Sequence, residues 1–179
     1  MNDGDQDATL VARCLEGDQS AFEPIVRRYE RVLYNAAYRM VGSREDAQDI
    51  VQSAFVKAWE KLASFDPHYR FFSWIYRIVV NESLNSRTRR VPTRSLDPDL
   101  PAPGGPEQAA QLSEREACLQ SALLRLSTDD RNVLILRHFA DLSYAEIAEA
   151  LGLSDKTVKS RLHEARQRLG RMLEPRDFQ

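Results

Sequence analysis

Apolar residues along this chain recur at alternating spacings of three and four, and no segment alternates with a period of two. In residues 44–62, REDAQDIVQSAFVKAWEKL, that rhythm puts Ala47, Ile50, Val51, Ala54, Phe55, Ala58, Trp59 and Leu62 on one face of a helix. Upstream, Ser20-x-x-Glu23 reads as a capping box opening AFEPIVRRYERVLYNAAYRM, with Pro24 in the first turn, where its missing N–H costs little. Gly42 ends that helix and Ser43 caps the next. Another helix is predicted from about Phe72 to Arg89, burying Ile75, Ile78, Val79 and Leu84. Nearer the C-terminus, Ser113-x-x-Glu116 precedes ACLQSALLRL, and Ser127 caps a helix through Val133, Leu134, Leu136 and Phe139. Ser143-x-x-Glu146 opens SYAEIAEALGLSDKTVKSRLHEARQRL. The predicted fold class is all-α.

Composition divides this helical pattern in two. Residues 91–108, VPTRSLDPDLPAPGGPEQ, hold five of the eight prolines and two of the seven glycines. Such a segment has little to bury and cannot sustain a helix, so it reads as a linker. The expected organisation is two small helical domains, 1–90 and 113–179, joined by a flexible Pro/Gly-rich linker over 91–112.

The tightest motif lies in the last stretch. Two helices that cross closely need a small residue inside the first and a glycine at the turn, and Ala148 and Gly152 supply them. Ile147, Leu151, Val158 and Leu162 can close the small core between the two, and Ser154 can cap the second. With Val158, Leu162, Ala165, Leu169 and Met172 as the buried seam, the opposite face carries Lys156, Ser160, His163 and Gln167. This reads as a helix-turn-helix, whose second helix offers its N-terminal residues to base edges and its flanks to phosphates; the plainer alternative is a solvated helix in an αα-hairpin, against which the sign asymmetry of the charge beside a small-residue turn argues. Lys156, Thr157, Lys159 and Ser160 stand in the first position, and Arg161 and Arg166 in the second.

Charge supports that reading by its distribution. The formal net charge is only −2, yet residues 154–171 hold six basic residues against two acidic ones. Arg87, Arg89, Arg90 and Arg94 make a second basic run. Just before it, FDPHYRFFSWIYRIVVNESLNSRTRR gathers Phe65, Tyr69, Phe71, Phe72, Trp74 and Tyr76, then Asn81 and Asn85. Rings interleaved with cations suit unstacked bases, which stack on the rings while the cations hold the backbone. Most of these rings read equally as core: Phe72 and Trp74 are expected in the core or in a mixed role, whereas Phe65 and Tyr69, in a Pro-containing loop, are the better candidates for exposure. The polar face of residues 44–62, with Asp46, Asp49, Gln52, Ser53 and Lys57, is either solvated or a docking surface.

Other chemistry has little to stand on. Cys14 and Cys118 lie far apart in apolar helical patterns and are expected to be buried thiols, with no metal site and no cofactor. No nucleophile–base pair or phosphate loop points to an enzyme. The acidic, polar start MNDGDQD does not read as a secretory signal, and no apolar run approaches a membrane span, so a cytoplasmic location is expected.

Taken in order, EDAQDIVQSAFVKAWEKL, FSWIYRIVVNESLN, the Pro-rich linker and LSYAEIAEALGLSDKTVKSRLHEARQRL resemble a bacterial sigma factor of the sigma-70 family, ECF (extracytoplasmic function) subfamily, over about residues 7–173. The resemblance implies a dissociable initiation subunit with core RNA polymerase and promoter DNA as partners, and an anti-sigma factor as a third. It implies that Asp46, Asp49, Gln52 and Phe55 dock on the largest polymerase subunit. Loop 65–71, with Phe65, Tyr69 and Arg70, and the helix with Trp74, Arg77, Asn81 and Asn85 would open and read the −10 element. The helix 154–169 would read the −35 element. Asp97, Asp99 and Glu107 would let the linker mimic RNA charge, although a solvated linker accounts for them as well. Lys156, Asp155 and Glu164 depart from the common pattern of the family, which bears on base preference. The helix-turn-helix alone would also fit a stand-alone transcriptional regulator that needs no polymerase.

Overall fold

The computed structural model of the protein describes residues 3–89 and 106–173. The expectations placed on Arg90, Arg94, Asp97 and Asp99 fall outside these residues, as do the side chains of Arg87, Arg89 and Glu107. All regular structure among the described residues is helical: α1 Asp3–Leu15, α2 Phe22–Val41, α3 Arg44–Glu60, α4 Phe71–Arg89, α5 Pro106–Arg125, α6 Thr128–His138, α7 Tyr144–Leu151 and α8 Asp155–Leu173. Short 3-10 turns at Gln19–Ala21 and Leu62–Ser64 complete the set.

Helices α2, α3 and α4 form the first packed layer. Gly42, at φ +81°, ends α2 in the left-handed conformation that lets its N–H reach the Tyr38 carbonyl. The Ser43 hydroxyl then accepts from the Asp46 N–H and starts α3. Alanines 36, 37, 47, 54 and 58 are buried, so α2 and α3 can approach closely. Tyr29 stacks on Phe71 at 5.9 Å and lies 5.6 Å from Phe72, tying α2 to the start of α4. Helix α1 is pinned through Asp7, which is 2% exposed and accepts from the Tyr29 hydroxyl and from Arg28 Nη1, each at 2.5 Å. Burial, and then the bond to Asp7, push the Tyr29 hydroxyl pKa up.

The second layer is built from α5 to α8. The Ser127 hydroxyl accepts from the Asp130 N–H and starts α6, which buries Val133, Leu134, Ile135 and Leu136 against its neighbours. The buried apolar residues of both layers, Ala122 aside, belong to one continuous cluster. Arg131, 1% exposed, donates from Nε to Leu123, from Nη2 to Leu124 and Leu126, and from Nη1 to the Met40 carbonyl of α2 at 2.6 Å. Gln120 Nε2 reaches the Tyr38 and Arg39 carbonyls at 3.1 and 3.3 Å. The Arg39 guanidinium lies 4.7 Å from the Phe139 ring centroid. The C-terminal turn of α2 is thus completed by side chains of the second half, and the two halves pack on one another.

Five local expectations are corrected. Ser20 does not cap α2: its hydroxyl donates to Asp18 Oδ1 at 2.6 Å, Asp18 caps the preceding 3-10 turn, and α2 starts with Ala21 as an unassisted N-cap. Ser113 lies inside a helix, because Pro106, whose fixed φ suits a first helical position, starts α5 well before it and within the span expected to be linker. Cys118 is exposed, since the buried stripe of α5 runs through Gln120, Ala122 and Leu123. Leu84 is 42% exposed, because at this turn of α4 it is Ser83, 1% exposed, that faces inward. Trp59, expected on the buried face of α3, is 37% exposed at the end of that helix.

Candidate nucleic-acid interface

The helix-turn-helix forms from local signals. Ser143 N donates to Glu146 Oε2 at 2.7 Å and Glu146 N to the Ser143 hydroxyl at 3.3 Å, the reciprocal pair of a capping box. Gly152 turns the chain at φ +65°, with Leu153 N bonded to the Ala148 carbonyl at 2.9 Å. The Ser154 hydroxyl accepts from Thr157 N at 3.1 Å and fixes the start of α8. Val158, Leu162 and Ala165 are buried, so Lys156, Thr157, Lys159, Ser160, His163, Arg166 and Gln167 are left exposed.

These exposed residues do not all carry free charge. The Lys159 ammonium sits 5.8 Å from the Tyr144 ring centroid. The Thr157 hydroxyl is hydrogen-bonded to the Ser154 hydroxyl at 2.8 Å. Arg161 is half-buried and paired with Asp129 Oδ2 at 3.0 Å. Arg168 pairs with Asp130 and, at 3.2 Å, with Glu164. Arg166 Nε donates to His138 Nε2 at 3.2 Å, and burial, followed by the charges of Arg166 and Arg137, pulls the His138 pKa down. An open cleft of about 550 Å³ separates Ser127, Asp129 and Asp130, at the start of α6, from Lys156, Thr157 and Ser160 on α8. The acids at the start of α6 were not anticipated. In the sequence they read as ordinary first-turn residues, as they also are.

The aromatic segment is rearranged relative to expectation. Phe65 is 9% exposed, with its ring 5.3 Å from Phe71 and 5.6 Å from Trp74. Its exposure was expected from the loop, but the 3-10 turn at Leu62–Ser64 directs the ring inward. Tyr69 is 56% exposed, as expected. Trp74 is half-buried between Phe65 and Phe71. Asn81 and Asn85 lie one turn apart on the exposed side of α4, and Asn85 hydrogen-bonds Glu82. Arg70 pairs with Glu146, and Arg77 donates from Nε to the Ala150 carbonyl at 3.0 Å and from Nη2 to the Glu149 carbonyl.

On α3, Asp49 and Gln52 are exposed and Asp46 is half-buried. Phe55 is 9% exposed and meets Phe22 edge-on at 6.3 Å, so it supports this face from beneath. Val56 and Trp59, 58% and 37% exposed, continue the stripe of Asp49 and Gln52 at helical spacing. Ser53 and Lys57 turn instead toward α4, donating to Glu82 at 3.0 and 2.5 Å. Among the described residues no group of His, Cys, Asp and Glu could hold a metal ion, and no helix is long and apolar enough to cross a membrane.

Two tracts of the chain match family descriptions: residues 25–92 match Sigma-70 region 2 and residues 116–169 match Sigma-70 region 4. The chain is 33% identical to the ECF RNA polymerase sigma factor SigW of Bacillus subtilis, over 91% of this chain and 94% of that one. The solved structure of CnrH in complex with the cytosolic domain of CnrY superposes with a TM-score of 0.74 at 33% identity, covering 96% of this chain and 97% of CnrH. The structure of RpoE bound to the anti-sigma factor NepR from Bartonella quintana gives 0.68 at 25% identity, covering 87% and 98%. The chain belongs to the ECF sigma factors of the sigma-70 family. A stand-alone regulator is not favoured, because a helix-turn-helix alone does not account for the region 2 match.

Proposed function

We propose that this chain binds core RNA polymerase, directs it to specific promoters and promotes opening of the −10 element, while bond formation belongs to the polymerase. The observation that carries the reading is the pairing of two different surfaces on one chain. One is the exposed N-terminal face of α8, with Lys156, Lys159 and Ser160, suited to duplex base edges. The other is the Tyr69–Asn85 side of α4, where an exposed ring, arginines and asparagines adjoin a half-buried tryptophan, suited to an opened strand. Thr157 and Ser160 accompany the lysines in reading, with Arg161 and Arg166 on the phosphate flanks. Arg70, Trp74, Arg77, Asn81 and Asn85 hold the −10 strand, and Phe65 shapes the surface under Trp74.

The polymerase-docking face is the α3 stripe of Asp46, Asp49 and Gln52, extended by Val56 and Trp59 and propped by Phe55. An apolar end beside an acidic one suits a partner helix carrying both kinds of residue. An anti-sigma factor is the third partner, as in the RpoE–NepR complex, and the chain works in the cytoplasm with the polymerase. Reconstitution with core polymerase tests the proposal: promoter-specific initiation that depends on the added chain is expected, and its absence on every promoter of the source genome overturns it.

A further inference from the structure

Arg161, Arg166 and Arg168 all reach from α8 back to α6, but they meet two kinds of partner. Arg161 pairs with Asp129 at 3.0 Å, and Arg168 pairs with Asp130. Arg166 meets a ring instead: its Nε and Nη2 both lie 3.2 Å from Nε2 of His138, the last residue of α6. A guanidinium only donates, so His138 Nε2 must offer its lone pair, and the proton of the neutral ring sits on Nδ1.

The difference decides what each arginine can offer to DNA. A carboxylate holds a guanidinium and offsets its charge. A neutral imidazole holds it and leaves the charge whole. The imidazole also takes only one edge of the fork, Nε with Nη2. The two N–H groups of Nη1 and the second of Nη2 stay free of this contact, and they form the edge that can grip a phosphate at two points. Lys159 and Arg166 stand seven residues apart, so they share one flank of α8 about two turns apart, and both are exposed.

The charges that act on the ring, among the described residues, are Arg166 on α8 and Arg137 on α6, both positive. Helices α2 and α7, which also pack on α6, add none to that set. Burial, and then these two charges, disfavour the imidazolium, so the ring remains an acceptor to below the ordinary histidine range.

We propose that His138 is a positioning residue for −35 binding: its neutral ring fixes one edge of Arg166 and turns the other edge, with its charge intact, toward a DNA phosphate. This rests on the reading of Arg166 as a phosphate contact of the −35 helix. A side chain already held in place has less freedom to lose when the phosphate arrives.

The test uses holoenzyme reconstituted with the full chain, and the genomic promoter duplex on which it initiates most strongly. Arg166→Ala should weaken promoter binding and lower the salt slope by about one. His138→Ala should weaken binding about threefold at about pH 8, the worth of one net hydrogen bond, and should do nothing further once Arg166 is alanine. His138→Gln, whose carbonyl oxygen can accept in the same place but cannot titrate, should restore the affinity. Relative to that variant, wild type should lose about threefold between about pH 8 and about pH 5.5, as the imidazole gains a proton and ceases to accept. His163 is present in both chains, so its own titration cancels. In the free full chain with isotope-labelled histidine, nitrogen NMR at about pH 8 should show the His138 proton on Nδ1. No loss in His138→Ala overturns the positioning role, as does a loss that persists without Arg166 or a proton found on Nε2. Affinity that rises in acid relative to His138→Gln overturns it too, because the imidazolium would then hold the phosphate itself. An Arg166→Ala holoenzyme with unchanged affinity and salt slope overturns instead the assignment of Arg166 to a phosphate, and a chain that supports no initiation overturns the proposed function; the positioning role falls with either.

Discussion

Arg131 Nη1 donates to the Met40 carbonyl at 2.6 Å, so a guanidinium buried in the sixth helix closes the last turn of the second. The same group satisfies the carbonyls of Leu123, Leu124 and Leu126 at the end of the fifth. The four carbonyls it bonds lie at the C-terminal, negative ends of two helices. Replacing Arg131 by methionine keeps much of the volume but removes donors from all four carbonyls. At about 1–3 kcal/mol for each buried group left unpaired, and with water entering to recover part, the expected loss is roughly 3 kcal/mol or more. Urea unfolding of the two chains measures it, and a loss below about 1 kcal/mol would contradict the role given to this side chain.

Tyr76 offers the opposite case. It is fully buried and its hydroxyl has no hydrogen-bond partner, and burial pushes its pKa up. The ring stacks on Phe72 at 5.9 Å, which phenylalanine would preserve. Because an unpaired buried hydroxyl is a cost, Tyr76→Phe should be neutral or stabilising by about 1 kcal/mol. A fall in melting temperature would show that the hydroxyl has a partner in solution.

The sequence made the helices and the helix-turn-helix legible, and the reasons are local. Ser143, Gly152 and Ser154 act on backbone groups within a few residues, so their roles follow from spacing alone. Phe65 was misjudged because its burial depends on Phe71 and Trp74, which the 3-10 turn brings over it. Arg131 reads as a surface charge in a helical pattern, and only the approach of α2 explains its burial. The partners of Arg70 and Arg77 lie more than seventy residues away, beyond any periodicity signal. Ser20 failed for a nearer reason: Asp18 is the stronger acceptor and takes the serine hydroxyl as its donor.

Glu82 should give α3 and α4 a pH-dependent link. Burial raises its pKa, but the hydrogen bonds from Lys57 and Ser53 outweigh this and leave it below the ordinary carboxylate value. A depressed folded-state pKa means a contribution that is present above the unfolded pKa and is lost as the pH falls through the folded one. The stability difference between wild type and Glu82→Gln should therefore be clear at about pH 7 and shrink steadily below about pH 4.5. A difference independent of pH across that window would show that the carboxylate charge is not what joins the two helices.

On α8, Lys159 and Arg161 should behave differently despite their like charge. Lys159 is exposed at the reading face, whereas Arg161 is already partnered by Asp129 at 3.0 Å. Lys159→Ala in the holoenzyme should cost about 1–3 kcal/mol in promoter binding if the side chain reads a base, and lower the salt slope by about one if it holds a phosphate. Arg161→Ala should cost less, and Asp129→Asn, which releases the guanidinium, should tighten binding. Promoter titrations at two salt concentrations decide the matter, and equal losses at both positions would mean that the Asp129 pair breaks on DNA.

Phe65 and Tyr69 share a loop but should fail in different ways when truncated. Phe65 is packed against two rings, so Phe65→Ala should destabilise the fold by about 3–5 kcal/mol, and any effect on transcription should follow from that loss. Tyr69 is 56% exposed and makes no ring contact among those found in the described residues, so Tyr69→Ala should change stability by no more than about 0.5 kcal/mol. If its ring stacks on an unpaired base, the loss should appear instead in opening, since stacking returns about 1–3 kcal/mol per base. Permanganate reactivity of thymines in the open complex would then fall while closed-complex formation stays near wild type. A Tyr69→Ala chain that melts promoters normally would remove this ring from the −10 surface and leave Trp74 as the aromatic candidate there.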